Sequence, residues 1–312
     1  MAKYAVGVDI GGTTVKIGLF TAEGTMVDKW EITTRTDEGG KYILGDIAES
    51  IEDKLADKQI DKSEVKGIGM GVPGPVKADG TVLRCVNLGW GIFNAADELS
   101  KIIGLPVKVG NDANMAALGE MWQGGGKGFS NIVMVTLGTG VGGGIILGGK
   151  MLSGVNGAGG EIGHIQVNDD ETEVCGCGRK GCLEQYTSAT GIVRLAKRKL
   201  AKTTEDTTIR AIENLTAKDV FDAAKAGDAI ALGLVDEVCK ILGSTLSNIA
   251  CVVNPEIIVI GGGVSKAGEI LLDNIKKHYV ETSFMACRDT KFALADLGND
   301  AGMYGCVEML LD

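Results

Sequence analysis

Aromatic residues and histidine are scarce in this chain, and long apolar runs are absent. Its 312 residues include six Phe, five Tyr, three Trp and two His. Because no run of about 18 apolar residues occurs, the sequence predicts no membrane-spanning helix. The first apolar stretch, Tyr4–Ile10, begins almost at Met1 and lacks the charged segment that opens a signal peptide. These absences favour a globular protein of the cytoplasm.

Basic residues are also too few to form a nucleic-acid footprint. The chain has 31 Lys and Arg against 41 Asp and Glu, a net charge of −10, and no basic cluster. The sequence therefore predicts no nucleic-acid partner, and it disfavours polyphosphate as the main phosphate donor. The length suggests two domains, and the alternation of strand and helix patterns indicates an α/β protein.

Glycine, in contrast, is abundant, with 48 residues and neither a collagen period nor a low-complexity tract. Three glycine-rich turns each follow an apolar strand, at 11–14, 138–144 and 261–263. A strand that ends in glycines lets backbone N–H groups approach phosphate oxygens, because no Cβ stands in the way. Residues 4–20 and 132–147 share the order strand, glycine turn, strand, which indicates a repeated unit.

These turns predict a site that binds phosphate groups together with a metal ion. Asp9, at the end of the first strand, is placed to hold Mg²⁺ through water, and Lys16 adds a positive charge. Any one such turn is more often a plain hairpin, but three at strand ends favour phosphate binding. The residues expected to contact the phosphate groups and their metal are Asp9, Gly11, Gly12, Thr13, Thr14, Lys16, Gly138, Thr139, Gly140, Gly261, Gly262 and Gly263.

Two other phosphate-binding motifs are excluded. Gly138-x-Gly140-x-x-Gly143 matches the dinucleotide fingerprint, but an apolar strand follows where that fingerprint needs a helix. The segment 124–127 ends like a Walker A motif, yet position 121 is Met instead of Gly, and no Ser or Thr follows the lysine. Neither a Rossmann nor a P-loop site is therefore expected.

Four metal-binding side chains lie close together in sequence: His164, Cys175, Cys177 and Cys182. In a reducing cytoplasm, disulfides do not explain the chain's eight cysteines. Cys₃His is a closed tetrahedral set that is typical of structural zinc. A redox pair and unrelated loop cysteines are the alternatives. Because one of only two histidines lies just upstream of the three cysteines, the pattern favours Zn²⁺.

Further polar residues are candidates for a binding site. Asn111 and Asp112 stand where a short strand passes into a helix, although Asp112 at such a position is commonly just a helix N-cap. Glu161 lies shortly before His164, and Glu184 shortly after the last zinc-loop cysteine. Both glutamates are either hydrogen-bond partners of the metal ligands or outward-facing groups that bind hydroxyls.

In combination these motifs resemble the ROK family of bacterial sugar kinases and sugar-responsive repressors. They occur in the family's order over essentially the whole chain, and the two motifs around the zinc ligands are the most specific. The motifs are Asp9-Ile-Gly-Gly-Thr-Thr-x-Lys16, Gly71-Val-Pro-Gly-Pro75, Gly110-Asn-Asp-Ala-Asn114, Leu137-Gly-Thr-Gly-Val-Gly-Gly-Gly144, Gly160-Glu-Ile-Gly-His164 and Cys175-x-Cys-Gly-x-x-Gly-Cys-x-Glu184.

The resemblance implies an actin-like fold of the hexokinase and Hsp70 type, with two α/β domains around a cleft. It implies a small domain of residues 1–112 with the C-terminal helix at about 298–312, and a large domain of 113–297 that carries the zinc loop 164–182. It also implies an ATP-dependent hexose kinase, with glucose as the first expected substrate. Fructose, N-acetylmannosamine and N-acetylglucosamine are alternatives, and a cytoplasmic homodimer that serves glycolysis is the family expectation.

The resemblance further implies roles for single residues. Asp112 matches the family's general base, which takes the proton of the sugar 6-hydroxyl. His164 is expected to bind zinc through one ring nitrogen and a sugar hydroxyl through the other. The residues that match the sugar contacts are Asn87, Asn111, Glu161, His164 and Glu184.

A repressor is the second functional hypothesis. Repressors of this family carry a helix-turn-helix ahead of the first glycine turn, whereas only eight residues precede Asp9, which favours the kinase. One departure from the family pattern lies between His164 and Cys175. Where a glycine is expected shortly before Cys175, the chain has Glu171-Thr-Glu-Val, which predicts a looser loop.

Overall fold

The computed structural model describes residues 2–311. The strands are β1 (Tyr4–Ile10), β2 (Thr14–Thr21), β3 (Met26–Thr33), β4 (Val65–Val72), β5 (Thr81–Val82), β6 (Phe93–Asn94), β7 (Val107–Asn111), β8 (Ile132–Leu137), β9 (Val141–Leu147), β10 (Lys150–Met151), β11 (Ile257–Gly261) and β12 (Lys291–Leu294). The helices are α1 (Asp37–Gly40), α2 (Ile43–Asp57), α3 (Ala95–Ile103), α4 (Asp112–Gln123), α5 (Glu184–Thr187), α6 (Ala189–Lys202), α7 (Ala217–Lys225), α8 (Ala229–Val253), α9 (Glu269–Thr282) and α10 (Ala301–Leu311).

The strands build two five-stranded sheets of the same topology, with the orders β3-β2-β1-β4-β7 and β10-β9-β8-β11-β12. In each sheet an antiparallel hairpin, β1–β2 or β8–β9, surrounds a glycine turn. Two parallel strands then extend each sheet, β4 and β7 in the first, β11 and β12 in the second. The predicted α/β class and the repeated unit are both present.

Helices α4 and α10 pack against each other between the two sheets, and α10 also packs on β1 and β4. The two helices approach closely, since a Cβ added at Gly305 would lie 1.7 Å from the carbonyl oxygen of Met115. Part of the abundant glycine therefore serves helix packing, not phosphate binding. The domain division predicted at residue 112 stays a prediction.

Several element boundaries differ from the expected ones. The second glycine turn spans only Gly138–Gly140, because residues 142–144 belong to β9. The strand that follows the third fingerprint glycine agrees with the exclusion of a Rossmann site. Gly261 is the last residue of β11, so the third turn begins at Gly262.

Several elements escape the sequence patterns altogether, among them β3, α6, α9 and β12. Strand β3 lies at the edge of its sheet, and its residues alternate between partly buried and exposed, which leaves a weak apolar signal. The capping box predicted at Thr216 and Asp219 is present at the start of α7. No helix within residues 2–311 is long and apolar enough to span a bilayer.

Candidate active site

A cleft of about 560 Å³ is lined by residues from both halves of the chain. It brings together residues that lie far apart in sequence, at the ends of β1, β8 and β11 and at the start of α4. The predicted site residues that line it are Asp9, Lys16, Asn87, Asp112, Gly138, Gly140, Glu184 and Gly262.

Asp112 is the first residue of α4, and its side chain is not the helix cap. The side-chain oxygen of Asn111 accepts the N–H of Asn114 at 3.1 Å, which makes Asn111 the N-cap. Asn111 Nδ2 also donates to the carbonyl of Gly74 at 3.1 Å and to Asp112 Oδ1 at 3.0 Å. The alternative role of Asp112 as a mere cap is excluded, and its carboxylate lines the cleft.

Two carboxylates in the cleft have raised pKa values. Burial raises the pKa of Asp112, and the charge of Glu161 adds to it, against a bond from the N–H of Ala113. Burial raises the pKa of Asp9 to about 6, helped by the charge of Asp112 and opposed by Lys16. Asp9 and Lys16 face each other across the β1–β2 hairpin. Both acids are therefore easier to protonate than ordinary aspartates.

The first glycine turn forms the exposed end of the β1–β2 hairpin. Gly11, Gly12 and Thr13 are exposed, Thr14 is half-buried, and none of the four lines the cleft itself. Thr34 holds this turn in place: its hydroxyl donates to Gly11 O at 2.8 Å and its N–H to Thr13 O at 2.9 Å. The turn joins Asp9 to Lys16, which do line the cleft.

The second glycine turn is attached to the start of α6. The carbonyl of Gly138 accepts the N–H of Ala189 at 2.8 Å, and the carbonyl of Thr139 accepts the hydroxyl of Thr190 at 2.8 Å. Thr139 therefore faces α6 and lines a neighbouring cavity, not the central cleft. The start of α6 therefore fixes the position of this turn.

An apolar cavity of about 270 Å³ lies beyond the third glycine turn, and sequence reasoning missed it. Gly263 lines this cavity, whereas Gly261 is buried at the end of β11. No sequence motif marks the cavity, because its walls come from α6, α7 and the turn after β11. The lining residues are Ala189, Thr216, Ala217, Lys218, Phe221, Asp222, Lys225, Gly263, Val264, Lys266 and Ala267.

His164, Cys175, Cys177 and Cys182 converge as predicted, with all four ligand atoms within 4.8 Å of one another. Cys177 Sγ lies 3.6 Å from Cys182 Sγ, and Cys175 Sγ lies 3.8 Å from His164 Nδ1. A tetrahedron with metal–sulfur bonds of about 2.3 Å has edges of roughly 3.7 Å, so the donor set fits a zinc ion.

Glu184 joins the cysteine cluster to the second glycine turn. Cys175 Sγ lies 3.5 Å from its Oε1, and its Oε2 accepts the N–H of Val141 at 3.1 Å. A Cβ at position 140 would lie 2.1 Å from Glu184 Oε2, so a larger residue there would displace the Glu184 carboxylate. A displacement of the cysteine loop is therefore transmitted to the turn.

The remaining predicted sugar contacts lie on loops. Glu161 is exposed, and its Oε2 lies 4.0 Å from His164 Nε2, the ring nitrogen that does not face Cys175. Asn87 belongs to a 3₁₀ turn, Val86–Leu88, and lines the cleft from the first half of the chain. Trp90 holds this turn, since its Nε1 donates to Gly40 O at 3.0 Å.

The loop before Cys175 is tightly held, so the expectation of a looser loop is wrong. Glu171, the first residue of the segment that stands where a glycine is expected, is 6% exposed. It accepts bonds from Arg194 at 3.0 Å, from both Nη atoms of Arg198 at 2.9 Å, and from the hydroxyl of Tyr186 at 2.6 Å. A buried carboxylate bonded to α6 compensates for the missing glycine.

Replacing Glu171 with Gln is expected to lower the free energy of unfolding by about 2 kcal/mol, because the bonds from two partly buried arginines then end on a neutral amide. Bonds from Arg198 and Tyr186 hold the pKa of Glu171 well below its usual range. Its contribution is complete above pH ~4.3, the unfolded value, and is lost as pH falls further. Urea unfolding at pH 7 and at about pH 3 measures both effects, because the loss takes place below the unfolded pKa.

The matched control for this change is Glu173→Gln. Glu173 pairs with the same two arginines, but its side chain is 56% exposed, and exposed pairs contribute only ~0–1 kcal/mol. Equal destabilisation by the two variants would contradict the anchoring role of Glu171.

Comparison with known proteins gives consistent matches over the whole chain. The sequence profile of the ROK family matches residues 5–312. A glucokinase from Halalkalibacterium halodurans is 48% identical over 97% of this chain and 93% of its own length. A glucokinase from Thermotoga maritima is 36% identical over 98% of this chain and 96% of its own length.

Solved structures agree with these matches. A ROK family glucokinase from Streptomyces griseus, in complex with glucose and AMPPNP, superposes with a TM-score of 0.77. It is 34% identical, and the alignment covers 98% of each chain. The predicted actin-like fold class is confirmed.

Proposed function

The chain belongs to the ROK family, and from that premise we propose that it transfers the γ-phosphate of ATP to the 6-hydroxyl of glucose. The observation that carries the proposal is the position of Asp112. It starts helix α4 inside a cleft that also contains Asp9, Lys16 and two glycine turns. The relative from S. griseus, solved with glucose and an ATP analogue, supports the choice of both substrates.

In the proposed mechanism Asp112 acts as the general base. The oxygen of the 6-hydroxyl forms a bond to the γ-phosphorus, the bond from that phosphorus to the β–γ bridging oxygen breaks, and Asp112 takes the hydroxyl proton. Burial raises the pKa of Asp112, which strengthens its carboxylate as a proton acceptor. Most of the remaining catalysis is positioning and charge neutralisation.

We propose that sugar hydroxyls are bound by Asn87, Asn111, Glu161, His164 and Glu184. The amide of Asn111 is already oriented by Gly74 and by the N-terminus of α4, which spares ordering entropy on binding. His164 has one ring nitrogen toward Cys175 and the other toward Glu161, consistent with a ligand role at one end and hydroxyl binding at the other.

The nucleotide is proposed to lie along the glycine turns. Backbone N–H groups near Gly138, Gly140 and Gly262 would face the phosphates, and Lys16 would supply a cation. Asp9 would hold Mg²⁺ through water, and this ion would neutralise phosphate charge. The apolar cavity next to Gly263, with Phe221 and Val264 among its walls, suits the adenine ring because its lining is largely apolar and it adjoins the third glycine turn.

We propose Zn²⁺ at the Cys₃His cluster as a structural ion that shapes the sugar pocket. Four protein ligands leave no open coordination position, which excludes a catalytic role for the ion at this cluster. A homodimer in the cytoplasm, with its product entering glycolysis, completes the proposal and rests on family membership.

The affinity for Mg²⁺ and nucleotide is expected to depend on the ionisation of Asp9. With a pKa of about 6, its carboxyl is protonated below that pH and cannot serve a cation, so affinity should fall as pH drops through ~6. Calorimetric titration with Mg·AMPPNP between pH 5 and 8 measures this dependence. Asp9→Asn should bind more weakly at pH 8 and lack the transition, and identical pH profiles for the two proteins would contradict the assignment.

The function is tested by a coupled assay of a hexose panel with ATP, ADP and polyphosphate as donors. Glucose with ATP is expected to give the highest kcat/KM. The panel includes fructose, N-acetylmannosamine and N-acetylglucosamine, because kinases for these sugars share the same motifs. A higher kcat/KM for another sugar would reassign the substrate and leave the phosphoryl transfer itself intact.

A further inference from the structure

Glu120 is a fully buried glutamate on α4, two turns after Asp112, with 0% exposure. Its carboxylate accepts three backbone N–H groups: Gly125 at 2.8 Å, Asp296 at 2.9 Å and Leu297 at 2.9 Å. Burying a carboxylate is costly unless its oxygens are hydrogen-bonded. An apolar residue would avoid this cost, so the side chain must contribute something besides burial.

The first bond explains the glycine segment that resembles the end of a Walker A motif. Gly124 and Gly125 follow the C-terminus of α4, and a Cβ at Gly124 would lie 2.0 Å from Glu120 Oε2. A Cβ at Gly125 would lie 2.3 Å from the carbonyl oxygen of Leu294. The glycines of this segment therefore make room for the Glu120 carboxylate and for the end of β12, and the segment is not a phosphate loop.

The other two bonds reach a distant part of the chain. Asp296 and Leu297 belong to the segment 295–302. Other residues of this segment line the cleft: Ala295, Gly298, Asn299, Ala301 and Gly302. The carbonyl of Asn299 accepts a bond from Lys16 Nζ at 3.1 Å. The backbone of Gly302 lies against the carboxylate of Asp9. The segment, called the nucleotide wall below, thus touches both residues proposed to serve the phosphates and their metal.

We propose that Glu120 is a positioning residue that sets the nucleotide wall relative to Asp112. Both carboxylates belong to one helix, and eight residues of helix span about 12 Å, so α4 acts as a rigid spacer. Asp112 lies at the N-terminus of α4, beside the proposed sugar site. Glu120 lies near the C-terminus of α4 and binds the backbone of residues 296 and 297. The inference rests on the proposed function, because it assigns the wall to the nucleotide.

The bonds to residues 296 and 297 distinguish this role from a local one. A side chain that merely ended α4 would need only the bond to Gly125. Glu120 instead accepts two of its three hydrogen bonds from backbone N–H groups more than 170 positions away in sequence. Their loss should loosen the wall and leave the sugar pocket, built from α4's N-terminus and the zinc loop, unchanged.

The test is Glu120→Gln, which keeps the shape but turns one acceptor oxygen into a donor facing N–H groups. The Kd for Mg·AMPPNP and the KM for ATP are expected to rise about tenfold, as for the loss of one charge-assisted bond. The KM for glucose should stay at the wild-type value. Amide hydrogen exchange at residues 296 and 297 should speed up.

Glu256→Gln is the matched control. Glu256 also accepts two backbone N–H groups, from Ser130 and Asn131 at 2.9 Å, but it is exposed and does not line the cleft. Its variant should keep wild-type values for the Kd, both KM values and exchange at residues 296 and 297. A general loss of stability would lower the melting temperature without this separation of the two substrates.

A second pair of variants acts from the wall side. Leu297→Pro removes one of the three donors at a residue whose φ of −79° is compatible with proline, and Leu297→Ala controls for the lost side chain. The proline variant should weaken Mg·AMPPNP binding more than the alanine variant does. This arm also decides the case if Glu120→Gln does not fold.

The role of Glu120 is overturned if an active, folded variant keeps the wild-type nucleotide Kd, or if both KM values rise together. A wild-type protein that binds Mg·AMPPNP but does not phosphorylate glucose would overturn the proposed function instead. In that case the calorimetric comparison of the variants still decides the role of Glu120, because it needs no turnover.

Discussion

Asp112→Asn is expected to lower kcat by about 10²–10⁴-fold, the range that a positioned general base contributes. The amide cannot take the proton of the 6-hydroxyl, so the attacking oxygen stays a poor nucleophile. The fold should be preserved, because the oxygen of an asparagine can still accept the bonds from the N–H of Ala113 and from Asn111 Nδ2. Glucose affinity should therefore stay close to that of the wild type.

The stability of this variant has an expected sign as well. Burial raises the pKa of Asp112, so its ionised form destabilises the folded protein at pH values above the unfolded pKa. A neutral asparagine removes that cost, and the melting temperature at pH 7 should be equal to or above that of the wild type. A large fall in both melting temperature and kcat would indicate a structural role.

Steady-state kinetics, glucose titration by calorimetry and thermal unfolding make up the measurement. Asp97→Asn is the control, because Asp97 is an exposed acid in the first turn of α3 and does not line the cleft. It should behave as the wild type in all three. Turnover within a factor of ten of the wild type in Asp112→Asn would refute the base assignment.

Cys182→Ser is expected to abolish stoichiometric zinc binding, raise the KM for glucose about 10–100-fold, and lower the melting temperature by roughly 5–10 °C. Cys182 is fully buried, and its Sγ lies 3.6 Å from that of Cys177. A serine there is a poorer zinc ligand, and without the ion the other three ligand residues lose the bonds that hold the loop together.

The sugar pocket should suffer because the cluster is joined to it directly. His164 is both a proposed ligand and a proposed sugar contact, and Glu184 connects Cys175 to the N–H of Val141. Removing the ion frees the cysteine loop on one side, while Glu171 still anchors it to α6 on the other. Activity is therefore expected to fall more steeply than overall stability.

Cys251→Ser is the control, since Cys251 is an exposed residue of α8. Metal analysis, kinetics and thermal unfolding are compared for the wild type, both variants and chelated protein. If verified zinc-free protein kept its full glucose affinity and melting temperature, the structural role of the ion would be wrong.

The sequence by itself determined the elements whose signals are local. Apolar strands that end in glycines predicted the hairpins β1–β2 and β8–β9, and the capping box predicted the start of α7. The metal cluster was also predicted from the sequence, because its four ligands lie close together in sequence and a short loop brings them together. Such features need only neighbouring residues, and their chemistry survives any packing around them.

Contacts between segments that are distant in sequence were decided by the tertiary structure alone. The buried seat of Glu120 depends on a contact between α4 and residues 296 and 297, which no periodicity reveals. The apolar cavity beside Gly263 is assembled from three elements whose apolar residues look like ordinary core in sequence. The departure at Glu171 illustrates the same limit. The sequence does not distinguish a buried glutamate from an exposed one, and the burial of Glu171 depends on its ion pairs with Arg194 and Arg198 of α6.

The second glycine turn combines both cases. Its glycines were visible, but its length was overestimated, because glycines in β9 that make room for α4 look identical to glycines that make room for a phosphate. A glycine in the sequence indicates only that some group approaches the backbone closely at that position. The identity of the approaching group is decided by the fold, since it comes from another part of the chain or from a ligand.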